Sequence, residues 1–225
     1  MKNLQESLAE TLAARYYLYS TAQALLGNEP TEVLLNAADP ELVEGALEAC
    51  GVDGAIELAG SFAAALEGVQ GEDGLLGLSA QYTRLFVGPG KLACPPWESV
   101  YRSNSRALFQ RSTLDVRNAY REQGLLPQMY PRVADDHIAL ELGFLAQLAK
   151  RAMDAHQAED TNACKAALEA SARFASEHLN VWLVGYASDL QKEAPDSLYA
   201  AVARIAQVFC ARDVLLTGEA AVSLP

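Results

Sequence analysis

"RLFVGPGKLACPPWESVYRSNSR", residues 84–106, is where this chain stops reading as one amphipathic helix after another, and its reading decides the fold. Two glycines and three prolines break any helix running through it. A solvated linker between two domains is excluded as well. Phe86, Val87, Trp97, Val100 and Tyr101 carry apolar surface that demands burial. Helix-to-helix connections commonly take two to about eight residues, and longer ones are usually functional or disordered. The segment therefore reads as a long, ordered connection within a single helical body.

Outward from it, helical spacing returns on both sides. Toward the N-terminus, Leu75, Leu78, Tyr82 and Leu85 mark a helix near 72–86, preceded by one near 53–67. Pro30 and Pro40 open two short helices near 30–37 and 40–50, with Asp39 the better N-cap. Leu4, Leu8, Leu12, Tyr16, Tyr19, Gln23 and Leu26 form one stripe of a first helix, stopped at Gly27. Toward the C-terminus, "STLDVRNAYREQG" (112–124) begins with the capping-box pattern of Ser112 and Asp115 and ends at Gly124. "LLPQMYPRV" (125–133) runs extended between two prolines, and "DDHIALELGFLAQLAKRAM" (135–153) resumes the helical period. Three further helices are predicted near 161–177, 178–193 and 196–214, Pro195 separating the last two, with 217–225 a tail. No stretch alternates apolar and polar residues, so no strand is predicted. The expectation is one all-α domain over residues 1–225, built from about eight to ten helices.

Composition narrows the function. A net charge of −12 and a pI near 4.7 argue against nucleic acid, whose phosphates require Lys and Arg counterparts. The same charge disfavours anionic membranes and favours basic partners. Cys50, Cys94, Cys164 and Cys210 are scattered, without a C-x-x-C pair or zinc-finger histidine spacing, which excludes a disulfide framework or structural zinc. The N-terminal "MKNLQESLAETLAARYY" is amphipathic rather than an apolar signal sequence, and no run approaches a membrane span. The chain reads as a soluble, reduced, cytoplasmic protein.

The usual catalytic motifs are missing. There is no G-x-S-x-G, Cys94 sits in an apolar Ala-Cys-Pro-Pro context, and neither "GEDGLLG" nor "VGPG" continues to a phosphate-cradling Gly-Lys-Ser/Thr. His137, His156 and His178 lack metal-ligand spacing, and no paired E-x-x-H occurs, so neither metal nor cofactor is expected. Asp136–His137 has two readings. Asp135 or Asp136 caps the following helix, with His137 an incidental first-turn residue kept neutral by the helix dipole, or the pair offers hydrogen bonds to a ligand beside the long connection. Tyr82 and Phe86, four apart on a helix, belong to the core. Trp97 and Tyr101 follow two prolines in the connection, and with Glu98 and Ser99 between them they suit a peptide-binding surface.

Three blocks of this chain resemble the TorD/DmsD family of redox-enzyme maturation chaperones. "YTRLFVGPGKLACPPWESVYRSNSRALF" is similar to its Tyr-x-x-Leu-Phe and Pro-Pro-x-x-Ser-Val-aromatic pattern, "LPQMYPRVADDHIALELGFLAQLA" to its Asp-His motif, and "FASEHLNVWLVGYASDLQKEAPDSLYAAVARIAQVF" to its His-Leu-x-x-Trp helix and closing helix. Val133 and Ala134 replace the Glu and Pro often found before the Asp-His pair. The resemblance implies an all-helical cytoplasmic chaperone that binds the twin-arginine leader of a molybdenum-cofactor oxidoreductase of the DMSO/TMAO reductase type. It would hold the precursor until the cofactor is inserted and export can follow. It also implies a leader-binding site at Trp97, Glu98, Ser99, Tyr101, Asp136 and His137. The expected partners are the leader and its catalytic subunit, with no nucleic acid and no membrane insertion, and with a monomeric chain, a dimer being the alternative. Two other classes stay open: an enzyme using His137 with an acidic partner, and a helical scaffold or regulator without leader preference.

Overall fold

The computed structural model describes residues 4–103, 108, 110–127 and 133–224. Eleven α-helices follow one another: α1 Leu4–Gly27, α2 Glu32–Asn36, α3 Pro40–Ala49, α4 Ala55–Glu67, α5 Gly71–Tyr82, α6 Glu98–Arg102, α7 Arg111–Glu122, α8 Ile138–Gln157, α9 Thr161–Phe174, α10 Asn180–Glu193 and α11 Leu198–Ser223. A π-helical turn over Thr83–Val87 prolongs α5, and a second over Ala175–Leu179 joins α9 to α10 without a break. The described residues therefore form ten continuous helical rods. The only strand-like pairing among them is the isolated antiparallel bridge between Trp97 and His137.

The core follows from the sequence stripe of α8, where Ile138, Leu142, Leu145, Leu148, Ala149 and Ala152 are completely buried. One side of α8 receives α1 and the other α9, while α11 crosses α9, α10, α1 and α4. Gly27 ends α1 for a reason of packing. A Cβ there would collide with that of Ala139, so glycine lets α1 come close to the start of α8. Asp39 caps α3 as predicted, accepting from the N–H groups of Glu41 and Leu42, with Pro40 in the first turn.

The long connection lies on the body of the protein. Leu85 and Phe86 are buried in the π turn, with Tyr82, Phe86 and Tyr199 in mutual ring contact at 5.1–5.9 Å. Gly88 and Gly90 then turn the chain with φ of 96° and 106°, a conformation that side chains avoid. Cys94 and Pro96 are buried, and Trp97 meets His137.

Three expectations are corrected. Residues 217–223 are the last two turns of α11 rather than a tail, since Thr217 and Ala221 sit on its buried face. The Ser112–Asp115 capping box does not form. The N-cap of helix α7 is Gln110, two residues earlier, and Ser112 is turned inward with its hydroxyl buried. The helices predicted near 161–177 and 178–193 are one rod, the π turn absorbing the boundary. Residues 128–132, most of the segment expected to run extended, lie outside the described residues, as do 104–106 of the connection.

Candidate functional site

Asp135, Asp136 and His137 are consecutive, yet each serves a different helix. The Asp135 carboxylate accepts from Arg117 Nε and Nη2 at 2.8 and 2.6 Å, and its carbonyl accepts from the Tyr120 hydroxyl at 2.9 Å, which fastens α7. Asp136 is fully buried and points back to α6. Its carbonyl accepts the Glu98 N–H at 3.0 Å and its Oδ2 the Ser99 N–H at 2.8 Å. Helix α6 has no side-chain cap of its own, so Asp136 supplies one from a distant part of the chain. His137 is the N-cap of α8, its Nδ1 accepting the Ala139 N–H at 3.1 Å. The cap assigned above to an aspartate thus belongs to His137, because the turn that bonds His137 N–H to the Ala134 carbonyl sends Asp136 toward α6. With Nδ1 as acceptor, the ring proton sits on Nε2. Burial pushes the imidazole pKa down to about 4, which leaves it neutral. The backbone thus occupies Nδ1, and among the described residues no carboxylate is hydrogen-bonded to the ring.

The six residues expected at the site divide. Trp97 and His137 are half-buried and packed edge to face, with ring centroids 5.5 Å apart. Tyr101 turns away toward Trp182 and Tyr186, into space kept open by Gly185, where a Cβ would come within 3.0 Å of the tyrosine ring. Glu98, Ser99 and Asp136 have no exposed surface at all. The connection and the start of α8 are hydrogen-bonded to each other, Glu98 N–H to the Asp136 carbonyl and Ile138 N–H to the Pro96 carbonyl.

Behind this seam lies a buried polar network. The Glu98 carboxylate accepts from Arg102 Nη1 at 2.6 Å, one turn on, and stands 3.1 Å from His178 Nδ1 in the second π turn. Glu141 of α8 faces it and accepts the Trp182 indole N–H at 3.0 Å. Burial first, and the Glu98 charge second, raise the Glu141 carboxyl well above the usual carboxylate range.

Arg102 and His178 also line the largest cleft near this network, about 530 Å³ between α7, α9 and the π turn. Phe144 and Phe174, both buried, back its floor within an aromatic column running Tyr120–Phe144–Phe174–His178 at centroid spacings of 4.7, 4.6 and 4.8 Å. Asp115, Glu122 and Glu177 stand exposed at the rim together with Arg173, which approaches Glu122 at 3.7 Å. The sequence reading missed this cleft, since its residues come from four separate elements. Only His178, four residues from both Phe174 and Trp182 on an apolar helix face, hinted at a buried polar role. Among the described residues no three His, Cys, Asp or Glu side chains converge as a metal site.

Comparison with known proteins adds to this geometry. A family model described as "Nitrate reductase delta subunit" matches residues 51–187. The chaperone protein TorD of Vibrio cholerae serotype O1 is 30% identical over 142 residues, which cover 63% of this chain and 63% of that protein. The Tat proofreading chaperone DmsD of Salmonella typhi is 38% identical over 73 residues, 32% of this chain and 36% of that one. The match thus spans less than two thirds of the TorD relative. The fold is similar to the crystal structure of a protein from Archaeoglobus fulgidus described as a redox enzyme maturation protein. Its TM-score is 0.52 at 22% identity, with 86% of this chain and 91% of that one covered. The relatives bear the two names that the three sequence blocks resemble.

Proposed function

This chain belongs to the nitrate reductase delta subunit family, and we propose on that premise that it is a cytoplasmic maturation chaperone. It holds the twin-arginine leader, and with it the catalytic subunit, of a molybdoenzyme during cofactor insertion, and it catalyses no reaction itself. The names of its relatives support the class. None of its described helices is long and apolar enough to cross a membrane.

The observation that carries the reading is the cleft, which sets the exposed carboxylates of Asp115, Glu122 and Glu177 over a floor backed by the buried rings of Phe144 and Phe174. A leader joins a basic segment to an apolar one, so its receptor needs acidic and apolar surface side by side. The net charge of −12 draws such a peptide in. In this reading the half-buried Trp97 and His137 add peptide contacts, while Glu98, Ser99 and Asp136 act from within.

Calorimetry with a synthetic twin-arginine leader tests it, on the wild type and on Asp115→Lys/Glu177→Lys, two exposed positions whose reversal leaves the core untouched. The variant should lose about tenfold or more in affinity, because like charges now face each other across the interface. Unchanged affinity would remove the cleft from the reading. Equal affinity of the wild type for unrelated basic peptides would favour a scaffold without leader preference.

A further inference from the structure

Glu98 and Glu141 lie in the interior with no exposed surface on either, within electrostatic and hydrogen-bonding reach of each other. Donors already hold Glu98, from Arg102 at 2.6 Å and from His178 at 3.1 Å. Glu141 receives the Trp182 N–H on Oε2, but among the described residues no donor reaches its buried Oε1. Two ionised carboxylates are acceptors only, so the contact between them becomes a hydrogen bond when one carries a proton. Glu141 is that acid. Burial and the Glu98 charge both disfavour its ionised form, while the Trp182 bond opposes them more weakly. Asp136, ahead of α8, adds a third negative charge facing the same place. Among the described residues Tyr120 of α7 and Cys210 of α11 also lie within electrostatic reach, and burial pushes both upward, so neither supplies a counter-charge.

Arg102 and His178 have a second role, because both line the cleft. The two oxygens of the Glu98 carboxylate therefore fix two cleft residues, Oε1 taking Arg102 and Oε2 His178, and the charge beside that carboxylate depends on Glu141. We propose that Glu141 is a positioning residue for the cleft: sharing one proton with Glu98, it keeps that carboxylate where it holds Arg102 and His178 in the cleft wall, and loss of the proton loosens the grip on a bound peptide. This rests on the cleft being the leader site. The consequence is chemical regulation of binding. Each alkaline step that ionises Glu141 places a second charge against Glu98, and the cleft residues follow.

Glu141→Gln separates this from a merely structural role, because the amide reproduces both bonds of the protonated acid, accepting from Trp182 and donating to Glu98, and cannot ionise. Leader affinity is measured by calorimetry on the full chain between about pH 5 and about pH 9, the span in which buried carboxyls titrate. The His178 ring signals are followed by NMR over the same range, assigned with His178→Asn. Wild-type affinity should fall roughly tenfold as pH rises, within the usual range for coupled sites. Glu141→Gln should hold its affinity within about twofold over the same span. The His178 signals should report the ionisation of Glu141 as a pH-dependent step in the wild type that Glu141→Gln lacks. Parallel pH profiles of affinity in the two proteins, or His178 signals that follow the same pH profile in both, would overturn the proposal. Absence of leader binding in every protein at every pH would instead sink the leader reading, and the His178 signals alone would then decide whether Glu141 positions the cleft wall.

Discussion

Two clusters of buried charge sit in this fold, and they are built on opposite principles. Arg15 of α1 and Asp213 of α11 are matched one to one. The guanidinium Nη2 reaches Asp213 Oδ2 at 3.0 Å and the Ser171 hydroxyl of α9 at 2.7 Å, and the Tyr19 hydroxyl donates to the same carboxylate at 2.7 Å. Both ions are sealed, at 1% and 0% exposure, between the longest helices. The cluster around Glu98 and Glu141 has a surplus of carboxyls, a partner in Arg102 that is 39% exposed, and its anchor in a five-residue helix and a π turn. The first has nothing to exchange with solvent or ligand, whereas the second can take up or release a proton and reaches the cleft. Burial of charge alone does not mark function. An unbalanced, partly exposed network does, and π turns are frequent at such places.

The largest effect should come from breaking the matched pair. Asp213→Ala leaves Arg15 charged and without its carboxylate in the interior and takes from the Tyr19 hydroxyl its carboxylate acceptor. Breaking a buried pair in this way costs about 3–5 kcal/mol. Urea denaturation should show that loss, while the fraction still folded binds leader as tightly as the wild type. If stability barely changed, the pair would not be the lock that its geometry describes. If affinity fell in the folded protein, the two clusters would be coupled and the contrast between them lost.

The next effect is a pH dependence of stability with opposite signs at the two ends of the range. The His137 pKa is lowered to about 4 from an ordinary 6.5, so the unfolded chain binds the proton more readily. Stability from this group is complete above about 6.5 and lost as pH falls through about 4, to a ceiling of about 3 kcal/mol that partial exposure reduces. Glu141 behaves in reverse. Its folded pKa is raised, so its contribution is present below about 4.5 and is lost as pH climbs through the raised value. The cleft side of the molecule is therefore softened by both acid and alkali. Thermal melts across pH should show His137→Asn, which retains a capping side chain, losing the acid slope alone. An acid slope that survives in His137→Asn would place its origin elsewhere.

Most of the architecture was legible because helical periodicity is a local signal. The stripe of α1, the Asp39–Pro40 start of α3 and the Pro195 break each depend on neighbouring residues alone. The last turns of α11 were misread because Thr217, Gly218 and Glu219 look like an ending by composition, whereas burial of Thr217 and Ala221 carries the helix past them. Packing overrode propensity there. The Asp-His motif was legible as a motif but not as geometry. Which helix Asp136 would cap depends on a contact 37 residues away in sequence. The Glu98–His178 contact spans 80 residues and Arg15–Asp213 spans 198, and periodicity carries no information about such pairs. A charged residue on an apolar stripe, such as Arg15 between Leu12 and Leu18, or Glu141 between Ile138 and Leu145, was the signal that a buried partner existed somewhere.

The smallest effect is also the one that asks whether the cleft side works as a connected unit. Asp136 caps α6 through a single side-chain bond to the Ser99 N–H, and its other oxygen has no hydrogen-bond partner among the described residues. Asp136→Asn keeps an acceptor for that N–H and removes a buried charge, so stability should stay within about 0.5 kcal/mol of wild type. Asp136→Ala removes the cap and should cost about 1 kcal/mol, readable by denaturation. Helix α6 is only five residues long, and it carries both Glu98 and Arg102. Fraying of its first turn therefore displaces the carboxylate that holds His178, and leader affinity should fall in Asp136→Ala while Asp136→Asn binds as the wild type does. Loss of stability without loss of affinity would mean that α6 transmits nothing to the cleft. The cap would then be as self-contained as the Arg15–Asp213 lock on the far side of the core.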